Sequence, residues 1–153
     1  MGIEIERKFL VVGEDWKQGI TPQLLSQGYL NRDKQRTVRV RIAGDEAWLT
    51  IKGQSQGATR AEFEYAIPLE DARALLALSD GPCVEKYRWR VAHDGLVWEV
   101  DEFLGENAGL LVAEVELSSE DQVFDKPAWV GAEVSHDPRY FNSSLASRPY
   151  RSW

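Results

Sequence analysis

Along most of the chain, residues of opposite character alternate at a period of two. In "IEIERKFLV", Ile3, Ile5, Arg7 and Phe9 fall on one side of a strand while Glu4, Glu6 and Lys8 fall on the other. The same period recurs at about 24–32, 36–43, 46–53, 60–67, 84–93, 96–104 and 111–118, and with the opening stretch at about 2–12 it predicts eight strands. Turn chemistry separates several of them: "AGDE" at 43–46, "GQSQG" at 53–57, "HDG" at 93–95 and "GENAG" at 105–109. Helical signals are few. They comprise a short turn at "GEDWKQ", an amphipathic "PLEDARALLAL" that opens on proline and acids, and a C-terminal stretch around "DPRYFNSSLAS". This pattern predicts an all-β-dominated α+β fold: an eight-stranded antiparallel barrel with a few helices outside it.

The polar faces are charged, and sorted by sign. "TVRVRIA" sets Arg39 and Arg41 against Val38, Val40 and Ile42, and "AWLTIKG" sets Trp48, Thr50 and Lys52 against Leu49 and Ile51. "VEKYRWRV" offers Lys86, Arg88 and Arg90 on one face. Acids do the same in "AEFEYAI" (Glu62, Glu64), "VWEVDEF" (Glu99, Asp101) and "VAEVEL" (Glu114, Glu116). For one strand, a solvated sheet face explains the alternation. Across so many strands it explains less, because like charges at neighbouring positions repel and a merely wet face mixes neutral polar groups with them. If the charged faces point inward, the apolar faces point outward and need cover. The 70–79 helix and the C-terminal segment supply part of that cover, and a second subunit of a homodimer would supply the rest.

Length and composition bound the function. A chain of 153 residues fits one domain with a real core. The formal charge of −7 argues against general binding to nucleic acid or to an anionic membrane. Cys83 is the single cysteine, and His93 and His136 are the only histidines, so neither a disulfide nor a cysteine or histidine metal cluster is expected. No apolar run approaches the ~20 residues needed to span a bilayer, and no basic region precedes the first apolar stretch, which predicts a soluble cytoplasmic protein. Cys83 is expected as a buried or strand-start thiol, and Arg7 as an outward-facing residue by parity.

A barrel lined by acids and bases in near balance suits a linear polyphosphate with its metal. Arg and Lys clamp phosphate oxygens, and clustered carboxylates hold a hard divalent cation that bridges phosphates. A sugar or a hydrophobe would not need so many charges of both signs.

The motifs that carry these charges follow a known order. The Glu-x-Glu-x-Lys opening in "EIERKF", followed by "QGYL", "VRVRI", "LTIKG", "EFEY", "EKYRW", "WEVDEF" and "LLVAEVEL", resembles the CYTH superfamily, also called triphosphate tunnel metalloenzymes, over nearly the whole chain. The resemblance implies a tunnel that binds a triphosphate and hydrolyses or cyclises it with Mg²⁺ or Mn²⁺. It implies metal ligation by Glu4, Glu6, Asp101, Glu114 and Glu116, and phosphate binding by Lys8, Arg39, Arg41, Lys52, Lys86 and Arg88. Glu62 and Glu64 match family acids that either orient the arginines or hold a second metal. Tyr29 and Lys52 match a proposed water-activating pair, the alternative being that Tyr29 only caps the cavity. The tail resembles a C-terminal helix that short bacterial members carry near one tunnel mouth.

Among the family's reactions, the almost wholly ionic inventory favours hydrolysis of inorganic tripolyphosphate. Thiamine triphosphatase or nucleoside triphosphatase activity is the nearest alternative. Cyclisation of ATP needs base recognition, and the additional His-Phe sequence of class IV adenylyl cyclases is not found here. A non-catalytic polyphosphate-binding module would keep the basic residues but has no use for so many metal-ligating carboxylates.

Overall fold

A computed structural model describes residues 2–153. Its strands are β1 (Ile3–Val11), β2 (Gln23–Asn31), β3 (Arg36–Ala43), β4 (Glu46–Gly53), β5 (Thr59–Ala66), β6 (Val84–His93), β7 (Leu96–Phe103), β8 (Leu111–Glu116) and β9 (Val130–Glu133). Two α-helices, α1 (Leu69–Ala77) and α2 (Asn142–Ser147), join them, with short 3₁₀ turns at Asp15–Lys17 and Pro138–Tyr140 among others. The sheet order is β5-β4-β3-β2-β6-β7-β8-β1-β9, and β1 also pairs with β5. That last pairing, with Ile3 opposite Ala61, Glu4 opposite Arg60 and Ile5 opposite Thr59, closes eight antiparallel strands into a barrel. The eight expected strands are all present, within about two residues at each end.

Local chemistry explains the tight connections. The β6–β7 hairpin turns on Asp94 and Gly95, both at positive φ, the combination an Asp-Gly two-residue loop favours. Gly28 serves packing instead: a Cβ there would lie 3.0 Å from both Leu76 Cδ2 and Ser79 Cβ, so glycine lets the end of α1 rest against β2.

The apolar faces point outward and are covered by the chain itself. Ala72 of α1 packs on Val40 and Ala47, flanked by Leu69, Leu75 and Leu76, over β2, β3 and β4. Over β1, β7 and β8 lies an aromatic cluster in which Phe9 and Trp98 meet edge to face at 5.6 Å and Trp16, Phe124 and Trp129 complete the packing. The segment that supplies Phe124 and Trp129 leads into β9, a strand that the sequence pattern does not announce. Arg7 faces outward as parity requires, bonding Glu133 through Nε at 2.8 Å and Nη2 at 2.6 Å. Cys83 lies just before β6 and is exposed, so of the two expected placements the strand-start one holds and the buried one does not. Ile3, Ile51, Phe63 and Tyr65 stay exposed on the outer face of β1, β4 and β5. Among the described residues no helix is long and apolar enough to cross a membrane.

Candidate functional site

Because Val38, Val40 and their counterparts face out, strand parity turns the charged residues in. They surround a cavity of about 260 Å³ whose lining includes Glu4, Glu6, Lys8, Tyr29, Arg39, Arg41, Lys52, Arg88 and Glu114. One rim is formed by the β4–β5 connection, with Ser55, Gly57 and Ala58, and by Ser135, His136 and the start of α2. The other rim, where β5 and β8 end and β7 begins, carries Glu64, Glu99 and Glu116.

On one wall, the Lys52 ammonium donates to both oxygens of Glu4 at 3.1 Å and lies 3.3 Å from Glu62. Arg60 Nε donates to the same Glu4 at 3.2 Å. Burial pushes the Glu4 carboxyl up, but Lys52 and Arg60 outweigh it and hold the group down at about 2. Beside it, Thr50 links Arg39 to Glu64: Arg39 Nη2 donates to the Thr50 hydroxyl at 3.2 Å, which donates to Glu64 at 2.9 Å. Glu62 thus lies against Lys52, and Glu64 reaches Arg39 through Thr50.

Further along β1 and toward its other neighbour β8, Lys8 donates to Glu114 at 3.0 Å and to Glu6 at 3.2 Å. The two carboxyls are neighbours. Burial, and then the charge of Glu114, push Glu6 up to about 8, so the pair shares a proton at neutral pH.

Arg41 is the group that stands apart. Its Nε donates to the Gln27 side chain at 3.0 Å, and it forms no ion pair among the described residues. Burial, with Arg39 and Arg88 nearby, lowers even its guanidinium to about 9. Arg39 Nε is buried with no hydrogen-bond partner. A guanidinium inside a barrel without an acid of its own, beside a second one with a buried donor left over, calls for an anion.

A third cluster is closed. Asp101 accepts from Arg88 Nε at 2.8 Å and Nη2 at 2.9 Å, and Lys86 lies 2.6 Å away. Lys86 and Asp101 are fully buried and do not line the cavity. Asn142 seals them in, its Oδ1 accepting from Lys86 at 2.8 Å and from Gln27 at 3.2 Å, while Leu145 and Ala146 anchor α2 against Tyr29, Val84 and Phe103. The tail thus sits at one mouth as expected.

Two expectations change in detail. The five proposed metal ligands are not gathered: Glu4 is tied to Lys52, Asp101 to Arg88 and Lys86, and Glu116 is exposed opposite Glu6. Among the described residues no group of three or more His, Cys, Asp or Glu is placed to hold a metal ion. What remains is the Glu6–Glu114 pair, two carboxyls bonded to the same Lys8 that could hold a hard cation, since Mg²⁺ commonly uses only one or two protein carboxylates. Nor do Tyr29 and Lys52 hydrogen-bond each other: Lys52 spends its ammonium on Glu4 and Glu62, while Tyr29 stands in the wall across from Arg39.

Sequence reasoning passed over several residues of the site. Arg60 shares the parity of Glu62 and Glu64, a usable signal. Gln27 shares the parity of Tyr29. His136 and Asn142 come from the tail, and their contacts depend on how that tail docks, which no periodicity encodes. His93 pairs with Asp125 at 2.5 Å, away from the cavity.

A closed antiparallel barrel with a two-signed interior and an arginine, Arg41, left without an acid among the described residues defines a tunnel protein suited to a polyanion. The chain belongs to the CYTH domain family, whose model matches residues 2–150. It is similar to an inorganic triphosphatase of Acetivibrio thermocellus, with 49% identity over 100% of this chain and 99% of that protein. An inorganic triphosphatase of Nitrosomonas europaea is 39% identical over 94% of this chain and 96% of its own length. A solved crystal structure of an inorganic triphosphatase superposes with a TM-score of 0.67 at 37% identity, covering 93% of this chain and 96% of that one.

Proposed function

We propose that this protein is a divalent-cation-dependent inorganic triphosphatase that hydrolyses tripolyphosphate to pyrophosphate and orthophosphate. The observation that carries the reading is Arg41, a cation held inside the barrel next to Arg39 and Arg88 with no carboxylate of its own. The curated names of the relatives at 49% and 39% identity support it. So does the cavity: about 260 Å³ is below the roughly 300–1,000 Å³ of pockets that enclose larger organic ligands.

In this reading Lys8, Arg39, Arg41, Lys52 and Arg88 hold the phosphate chain and neutralise charge on the departing pyrophosphate. Water attacks a terminal phosphorus, the bridging P–O bond breaks, and the water's second proton passes to solvent or to a neighbouring base. Tyr29, whose hydroxyl has no hydrogen-bond partner among the described residues, is the candidate to orient that water, and Lys52 reaches the substrate once released from Glu4. Glu6 and Glu114 would hold Mg²⁺ or Mn²⁺, which supplies Lewis-acid polarisation of phosphate oxygens.

Colorimetric phosphate release from tripolyphosphate, ATP and thiamine triphosphate, with and without Mg²⁺ or Mn²⁺, tests the proposal. Metal-dependent release, greatest from tripolyphosphate, is expected. Tight binding of tripolyphosphate without release from any of the three would instead make the protein a polyphosphate-binding module.

A further inference from the structure

We infer that Arg60 is the residue that gives the cavity its preference for a free terminal phosphate over an esterified one, an inference that rests on the triphosphatase reading and adds a specificity determinant to it. Arg60 sits on β5 directly opposite Glu4 of β1, at the pairing that closes the barrel. Its Nε is committed to Glu4 at 3.2 Å. Its two terminal nitrogens have no protein partner among the described residues and are not buried, and the side chain lines the cavity with a quarter of its surface exposed. A residue that served only to support Glu4 would need the Nε contact alone; the rest of the fork faces open space.

Its surroundings favour an anion. The cavity wall on this side continues as Ser55, Gly57 and Ala58, with His136 across the opening, and Glu120 is turned onto the Ala58 backbone N–H at 2.9 Å. The opposite rim carries Glu64, Glu99 and Glu116; Arg39 lies 3.6 Å from Glu64, and Arg88 and Arg90 each lie 3.3 Å from Glu99, which leaves Glu116 as the acid there without a paired cation among the described residues. A polyphosphate therefore meets less repulsion at the rim that Arg60 flanks.

The chemistry of the two substrate ends then decides between them. Tripolyphosphate has a free phosphate at both ends, each with a second negative charge near neutral pH and three non-bridging oxygens, whereas ATP has one only at its γ end and its α-phosphate carries one charge and two such oxygens, so Arg60 discriminates by holding the end that is not attacked. A guanidinium fork rewards the first, because bidentate contact to a dianion is stronger than contact to a monoanion with a bulky neutral substituent. The Nε bond to Glu4 fixes the guanidinium plane, so little side-chain freedom remains to be lost when the phosphate arrives.

The test compares kcat and KM for tripolyphosphate and ATP in wild type, R60A and R60K at saturating Mg²⁺. R60A is expected to lower kcat/KM for tripolyphosphate by about 10- to 100-fold, mainly through KM, and that for ATP by less than about threefold, from the worth of hydrogen bonds to charged groups. R60K, which keeps the charge without the fork, should recover part of the loss for tripolyphosphate. An equal loss for both substrates, which is what support of Glu4 alone would produce, overturns the inference, and so does no loss for either. If wild type releases no phosphate from either substrate, the triphosphatase reading fails by itself. Titration calorimetry with tripolyphosphate and ATP then decides on Arg60: a tenfold loss of tripolyphosphate affinity alone in R60A sustains it, and equal or absent changes, or no binding by wild type, end it.

Discussion

Two groups of charge share the interior of this barrel and differ in how fully they are satisfied. Around Asp101, each carboxylate oxygen meets a cation, Lys86 has both an anion and the Asn142 amide, and α2 covers Lys86 and Asp101, leaving Arg88 as the member of the cluster on the cavity wall. A few ångströms along the same walls, Arg41 has no acid, Arg39 Nε has no partner, and Glu6 shares a proton with Glu114 because both cannot ionise comfortably. The first group is satisfied within the protein; the second is not, and in the proposed function an anion and a cation complete it. Charge inside a fold is thus not itself a mark of a site. Charge whose partners are missing is.

The largest expected effect tests the satisfied group. Asp101→Ala leaves Lys86 buried without an anion and Arg88 with Glu99 alone, and breaking one side of a buried pair costs about 3–5 kcal/mol. Urea unfolding should show that loss whether or not substrate is present, and a change below about 1 kcal/mol would erase the contrast. The next effect tests the unsatisfied group. Arg39→Ala should leave the metal-free melting temperature close to that of wild type, since Arg39 gives up only the Thr50 hydrogen bond and a 3.6 Å contact with half-exposed Glu64. It should still reduce kcat/KM for tripolyphosphate by about 10- to 150-fold, the range for a hydrogen bond to a charged group. A melting temperature that drops as far as that of Asp101→Ala would show that Arg39 is structural too.

Strand parity made most of this interior legible before any coordinates. Arg39, Arg41, Lys52, Glu62, Glu64, Arg88 and Glu114 all point inward, as their alternation with Val, Ile and Phe requires. Parity says which face a residue occupies but not which partner it takes, so Lys86 and Asp101 read as site residues when they are each other's counter-ions under a lid. It also says nothing about height along the tunnel, which is why Glu116 was placed with the metal ligands although it emerges at the far rim. The aromatic cover was hidden for another reason: Trp16, Phe124 and Trp129 lie in irregular segments whose spacing carries no period. Part of the cover assigned to a second subunit is therefore provided by the chain's own loops.

The smallest expected effect concerns the shared proton. An unfolded glutamate titrates near 4.3, whereas Glu6 in the fold is pushed up to about 8, first by burial and then by Glu114. Between those pH values the folded chain holds a proton that the unfolded chain has released, so metal-free stability is fully present below the lower value and declines as pH rises through the upper one. Glu4 has the opposite sign: held at about 2, it adds stability above its ordinary range and loses it only in strong acid, outside this window. Lys8, bonded to both carboxylates, is already among the groups that limit the rise at Glu6 and does not itself titrate in the window, whereas Lys86, whose ammonium burial lowers to about 7, adds stability as pH rises past that value, with the opposite sign. Glu6→Gln keeps the shape but has nothing to ionise, so its melting temperature should lack the decline, keep only the Lys86 trend that both proteins share, and exceed that of wild type at pH 8. Saturating Mg²⁺ should flatten the wild-type curve as well, because a cation between Glu6 and Glu114 replaces the proton they would otherwise share. If metal-free wild type and Glu6→Gln decline in parallel, the pair is as well satisfied as Asp101, and the line between the two groups has to be drawn at the arginines alone.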